Sequence, residues 1–264
     1  MTLSDAQVLL PQFKLAEALR PGAQGTVFRG LAQDGQAVVV KIVEGEWQER
    51  GQREIAALGL VDHPSVVRLI AHGSVPGGDR SMVFLATSYV EGTDLGRMLH
   101  AGPLTSAAVA RVVSSLASGL NAIWAHRIVH RDIKPTNIVV RPDGHGVLLD
   151  LGLALCRMMS TLTAWGVPGT PGYMSPEQSR GARNLTVKSD VFALGVTAFE
   201  ALLCSHPYGF NQEMIARGVD APSVPKDVGC EETLSGLVER MLHPSAAYRP
   251  HPIEIVDELG LEVR

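Results

Sequence analysis

The chain has 264 residues, 45% of them hydrophobic and 19% charged, which supplies a core and excludes a largely disordered polymer. Lys and Arg total 23 against 27 Asp and Glu, a net charge of −4, so the basic excess of a nucleic-acid or anionic-membrane binder is missing. Three cysteines, Cys156, Cys204 and Cys230, stand in no paired spacing, which excludes a disulfide or zinc scaffold and fits a reducing, cytoplasmic compartment.

In chain order, the N-terminus lacks the basic-then-apolar form of a leader peptide, and no window of about 18 uncharged apolar residues predicts a membrane span. β-rich runs follow at 38–43 and 82–90, with turn signals at Gln33-Asp34-Gly35 and around Gly77-Gly78. A helix is predicted between them, over 46–60. Val109, Val112, Val113, Leu116, Leu120 and Ile123 recur at helical spacing, one apolar face of a long helix that Thr105 or Ser106 caps. Two short strands are predicted at 138–141 and 147–152, around the Pro142-Asp143-Gly144 turn. From Asp190 onward the pattern is again mostly helical. Strands first and helices later predict an α+β fold of two lobes.

The chemistry concentrates in His130-Arg131-Asp132-Ile133-Lys134-Pro135-Thr136-Asn137 and in Asp150-Leu151-Gly152. An amide oxygen on Asn137 and a carboxylate on Asp150 are hard donors suited to a divalent cation. Asp132 remains to accept a proton, and Lys134 sets a cation beside it. Phosphoryl transfer requires that division: a metal to neutralise charge and a base to orient the attacking hydroxyl.

These motifs resemble those of the eukaryotic-type protein kinase family, over roughly Leu19 to Arg249, and the Lys134-Pro135 pair is similar to its serine/threonine branch. The resemblance implies one bilobal kinase domain: a small β-rich lobe with one regulatory helix over 1–87, a hinge over 88–92 and a larger helical lobe over 93–264. In it Asp132 is the catalytic aspartate, and Asn137 and Asp150 hold Mg²⁺, for which Mn²⁺ can substitute. Val38-Val39-Val40-Lys41 resembles the strand whose lysine holds the ATP α- and β-phosphates, with Glu54, thirteen residues on, as its partner.

The glycine-rich loop is matched by Leu19 to Val27 with one departure: Arg20 stands at the first glycine position, while Gly22 and Gly25 remain. A side chain there, followed by Pro21, predicts a stiffer loop and weaker ATP affinity. The resemblance further implies an adenine pocket of Leu19, Val27 and Val39 above and Val139 below. Thr87 is its gatekeeper, Ser88 and Val90 offer backbone groups to the purine, and Asp94 meets the ribose. His130 belongs with Leu58, Leu69 and Leu151 in an apolar stack. His126 and His130 stand four apart, yet no third ligand accompanies them at zinc-like spacing.

Downstream, Gly169 to Glu177 resembles the family's substrate-docking loop, with Ser175 where alanine is usual. Thr170 is implied to bridge Asp132 and Lys134, Glu177 to pair with Arg249, and Asp190 to hold the backbone of the catalytic loop. Thr161 and Thr163 resemble the paired activation-loop threonines of bacterial receptor-type kinases, which implies autophosphorylation through a transient dimer. Arg131, with Arg50, is the implied acceptor of that phosphate. The partners so implied are ATP and proteins bearing Ser or Thr, with neither nucleic acid nor membrane. Two other readings stand beside this one: an inactive kinase-like binding module, supported by Arg20 and Val39, and a small-molecule phosphotransferase, which has no need of a docking loop.

Overall fold

A computed structural model of the chain describes residues 1–22, 25–77, 80–156, 169–226 and 229–261. The chain divides into two compact units, residues 1–62 with 67–90, and residues 63–66 with 91–264.

The first unit is a five-stranded antiparallel sheet. Its strands are β1 (Lys14–Gly22), β2 (Gly25–Leu31), β3 (Ala37–Val43), β4 (Leu69–Gly77) and β5 (Arg80–Ser88), in the order β1-β2-β3-β5-β4. Alternation along β3 turns Val38, Val40 and Ile42 to one face. There they pack with Phe28, Phe84 and Met82 under a short helix, α1 (Leu3–Leu9), which delivers Ala6 and Leu10 to the same core. The sequence patterns did not predict α1. Its start is a capping box, in which Thr2 Oγ1 accepts from Asp5 N and Asp5 Oδ2 accepts from Thr2 N. Gln7 then pins it to the sheet, donating to Phe13 O and accepting from Leu15 N.

Val39 and Lys41 point to the opposite face. Helix α2 (Gln48–Leu58) follows a single 3₁₀ turn at Gly45–Trp47, so the helix predicted over 46–60 is tighter at its start and shorter at its end. Gly25, at φ +141°, has no room for a side chain: a Cβ there would lie 2.2 Å from Ile42 O.

The second unit is built on two buried helices, α4 (Ser106–Ala125) and α6 (Val187–Leu203). Thr105 caps α4, accepting from Ala108 N, and all six apolar residues of the predicted face are buried. By length and composition α4 is apolar enough to cross a membrane, although with Arg111 in it the helix is not a stretch of uncharged apolar residues. Of the 18-residue window that meets this test, 56% is buried inside the protein, as befits a core helix. Helix α6 is apolar nearly all round and buried along most of its length. Its N-cap is Thr186, so Asp190 lies inside the first turn and leaves capping to another residue.

The remaining elements of this unit are α3 (Leu95–Leu99), α5 (Pro176–Ser179), α7 (Gln212–Arg217), α8 (Glu232–Met241) and α9 (Pro252–Leu259), with five short strands. These are β6 (Thr93–Asp94), β7 (Ile128–Val129), β8 (Ile138–Val140), β9 (Gly146–Leu148) and β10 (Leu155–Cys156). β6, β8 and β9 form one antiparallel sheet, and β7 pairs with β10. The strand predicted over 147–152 stops at Leu148, because the chain leaves the ladder to carry Asp150. Gly92, at φ +153°, lies against β8, where a Cβ would stand 2.3 Å from Val140 O.

Candidate active site

The segment after β7 is anchored from below by Asp190. Its two carboxylate oxygens accept from His130 N and Arg131 N, both at 2.8 Å. Full burial pushes the Asp190 carboxyl up to about 7, against the two N–H donors that favour its charge. The anchor fixes a backbone that carries Arg131 at φ +68°, a conformation unusual for a residue with a side chain. Arg131 Nε donates to Leu153 O at 2.6 Å, and Arg131 O accepts from Gln178 Nε2 at 3.0 Å. His130 is fully buried, and that burial holds its imidazole below the usual range. Its Nδ1 accepts from Asp132 N at 3.3 Å.

With the backbone so held, the buried Asp132 carboxylate becomes the centre of a polar cluster. Lys134 Nζ donates to its Oδ2 at 2.9 Å, and Asn137 Nδ2 donates to the same oxygen and to Asp132 O, both at 2.9 Å. Thr170 Oγ1 donates to Oδ1 at 2.5 Å and accepts from Lys134 Nζ at 2.6 Å. Both amide protons of Asn137 are therefore directed at Asp132, leaving its Oδ1 as an oxygen donor. The β8–β9 hairpin pairs Ile138 with Leu148, and Leu149 N donates to Asn137 O. Asp150 follows at once, its Oδ1 accepting from Gly152 N at 2.6 Å. One amide and one carboxylate at neighbouring strand ends form a hard-oxygen donor set, which fits a divalent cation.

In the first unit, Lys41 Nζ lies 2.8 Å from Glu54 Oε2, with the glutamate side chain only 4% exposed. On the same sheet Val27 pairs with Lys41, and Val39 with Thr87. Val27 and Val39 are half-buried, Thr87 is buried and Leu19 is exposed. Gly22 pairs with Gly25 at the tip of the β1–β2 hairpin, and Arg20 pairs with Val27 through the ladder. Ser88 exchanges backbone and side-chain bonds with Arg68, and Val90 closes the unit half-buried. Leu58 is buried on α2, and Arg50 lies over the Trp47 ring at 5.9 Å. In the second unit, Asp94 pairs with Val139 and caps α3 through Arg97 N, and Leu151 is buried.

The loop from Gly169 leads into α5, which Ser175 caps. Glu177 on that helix meets Arg249 in a two-pronged pair at 2.7 and 2.9 Å, and Ser189 Oγ donates to Glu177 at 2.6 Å. Thr161 and Thr163 lie outside the described residues. Sequence reasoning passed over several groups that hold this loop. Tyr173 OH donates to Glu200 Oε2 at 2.7 Å, and His206 and Gln212 bond its backbone. No motif marks His206 and Gln212, because the main-chain groups they bond look alike whatever side chain they carry.

Comparison with known proteins places this geometry. The family model described as Protein kinase domain matches residues 13–259. The chain is 32% identical to the serine/threonine-protein kinase pkn2 of Myxococcus xanthus, over 98% of this chain and 33% of that protein. It is also 32% identical to the serine/threonine-protein kinase AfsK of Streptomyces coelicolor, over 98% and 33% respectively. The serine/threonine-protein kinase PknH of Mycobacterium tuberculosis is 32% identical over 78% of this chain and 34% of its own length. The chain thus spans about a third of the length of the curated relatives it matches.

Proposed function

The chain belongs to the protein kinase domain family, and on that premise we propose that it transfers the γ-phosphoryl group of ATP to serine and threonine hydroxyls of proteins. The observation that carries this reading is the Asp132 carboxylate, which accepts from an aliphatic hydroxyl at 2.5 Å while Lys134 stands 2.9 Å away. A substrate hydroxyl presented to that carboxylate is oriented for attack and gives up its proton there, while the Lys134 ammonium offsets charge on the transferring group. Asn137 and Asp150 would hold Mg²⁺ or Mn²⁺, which when bound neutralises charge on the phosphates. Lys41, kept in place by Glu54, is the ligand of the ATP α- and β-phosphates. Gly22 and Gly25 let backbone approach phosphate. Leu19, Val27, Val39, Val139, Ser88, Val90 and Asp94 take the adenosine moiety. The N-lobe is taken as 1–87, the hinge as 88–92 and the C-lobe as 93–264. Thr161 and Thr163 are the proposed autophosphorylation sites.

The docking loop favours this reading over a small-molecule phosphotransferase, since Thr170 and the Glu177–Arg249 pair hold a surface such an enzyme does not need. Filled positions at Lys41, Asp132, Asn137 and Asp150 favour it over an inactive binding module. The test is transfer of radiolabelled phosphate from ATP to casein and to the chain itself, wild type against Asp132→Asn. Transfer by the wild type and a loss of at least about 10²-fold in the variant are expected, the usual scale for a general base. Equal transfer by both would reject the assignment.

A further inference from the structure

The loop from Gly169 to Ser175 is gripped by side chains from a later part of the chain. Gln212, the first residue of α7, uses its whole amide for this. Its Oε1 accepts from Gly172 N at 2.6 Å, and its Nε2 donates to Met174 O at 3.1 Å and to Ser179 Oγ on α5. One backbone N–H and one backbone C=O as partners fix the amide's orientation, since the flipped form sets donor against donor. His206 grips the same peptide: its Nε2 donates to Gly172 O at 3.1 Å, while its Nδ1 accepts from Tyr208 N and Phe210 N. Both main-chain polar groups of Gly172 are thus bonded to side chains from the 206–212 segment. Gly172 itself sits at φ +93°, and a Cβ there would meet Phe210 Cδ1 at 3.0 Å and His206 Nε2 at 3.2 Å.

Only Pro171 separates this gripped residue from Thr170, whose hydroxyl reaches Asp132. With about 3.8 Å between successive Cα atoms and a fixed φ at the proline, a shift at Gly172 is passed on to Thr170 with little slack. Asn211 caps α7, accepting from Glu213 N and Met214 N, so Gln212 is presented from an ordered turn.

We propose that Gln212 is a positioning residue for the protein acceptor: its amide, from the start of α7, sets the 169–174 backbone on which the acceptor chain lies. The proposal rests on the kinase reading above. No bond of Gln212 goes to a residue assigned to ATP, so the effect falls on one substrate only.

The test is steady-state kinetics with casein and ATP for wild type, Gln212→Ala and Gln212→Glu, with thermal midpoints measured alongside. The glutamate keeps an acceptor for Gly172 N but faces Met174 O with a carboxylate, and it retains the bulk of the site should the alanine variant fold poorly. The KM for casein is expected to rise about tenfold in Gln212→Ala, the scale of one lost hydrogen bond. An intermediate rise is expected in Gln212→Glu, with the KM for ATP moving less than about twofold in both. An unchanged casein KM in both variants, or equal losses in kcat/KM for casein and for ATP, would overturn the proposal. A wild-type chain that phosphorylates neither casein nor itself removes the kinase reading and this proposal with it, and that outcome is visible before any variant is made.

Discussion

Arg249 places all five of its N–H groups: on Glu177 twice, and on the carbonyls of Lys188, His243 and Pro244. It is 1% exposed, and its guanidinium lies over the Phe192 ring at 4.9 Å. A planar fork that answers a carboxylate and three carbonyls has no substitute among the other side chains. Burial alone would raise the Glu177 carboxyl, but Arg249 and the Ser189 hydroxyl carry it below the ordinary range. Removing Glu177 leaves Arg249 charged and buried, and removing Arg249 leaves Glu177 charged and partly buried, so Glu177→Ala is expected to lose about 3–5 kcal/mol of stability and Arg249→Ala about as much, since it also strips the donors from three carbonyls. Arg249→Lys is expected to recover little, since an ammonium offers three donors and no fork. Urea unfolding midpoints check both; a lysine variant as stable as the wild type would show that charge alone, and not the fork, holds α5 down.

At the scale of elements, α4 carries the core of the second unit. Leu116, Leu120 and Ile123 are fully buried there, on the face that lies against α6, α9 and β9. Leu120→Ala is expected to cost about 2–5 kcal/mol, the sum of lost transfer energy and a residual cavity. Its urea midpoint decides this, and a loss under about 1 kcal/mol would mean that the core collapses into the gap. This helix was legible in the sequence because its apolar period is long and unbroken over Val109 to Ile123. Helix α1 was not: seven residues are too few to show a period, and its stability rests on a cap and on Gln7. The end of β9 was misread for a different reason. Apolar residues continue past Leu148, but the chain turns away to bring Asp150 beside Asn137, and a run of Leu and Asp records no such turn. At the site, Lys41, Asp132 and Asn137 stood out because the motifs that carry them resemble those of the protein kinase family. Gln212 and His206 did not, because most of their bonds go to main-chain groups, which no side-chain pattern marks.

Over the whole molecule, buried titratable groups in the second unit pull stability with pH in opposite directions. His130 and His206 are both depressed, chiefly by burial. The folded chain therefore binds fewer protons at these sites than the unfolded chain. Their contribution is present above the unfolded value of 6.5 and is lost as pH falls through the folded values. Asp190 acts in the reverse sense. Its carboxyl is raised from 3.8 to about 7, so the folded chain holds a proton that the unfolded chain has released. Its contribution is complete below 3.8 and is lost as pH rises through about 7. Glu200, raised by burial, works in the same direction as Asp190. Between pH 7 and pH 5 Asp190 therefore offsets the destabilisation that the two histidines bring. Asp190→Asn removes the offset without introducing a charge. The variant is expected to be less stable at every pH, since a neutral amide replaces a carboxyl that accepts two N–H bonds. Its thermal midpoint is also expected to fall more steeply than that of the wild type as pH is lowered from 7 to 5. The comparison of slopes is independent of the overall loss. Parallel curves would show that Asp190 stays ionised throughout this range, its charge carried entirely by His130 N and Arg131 N.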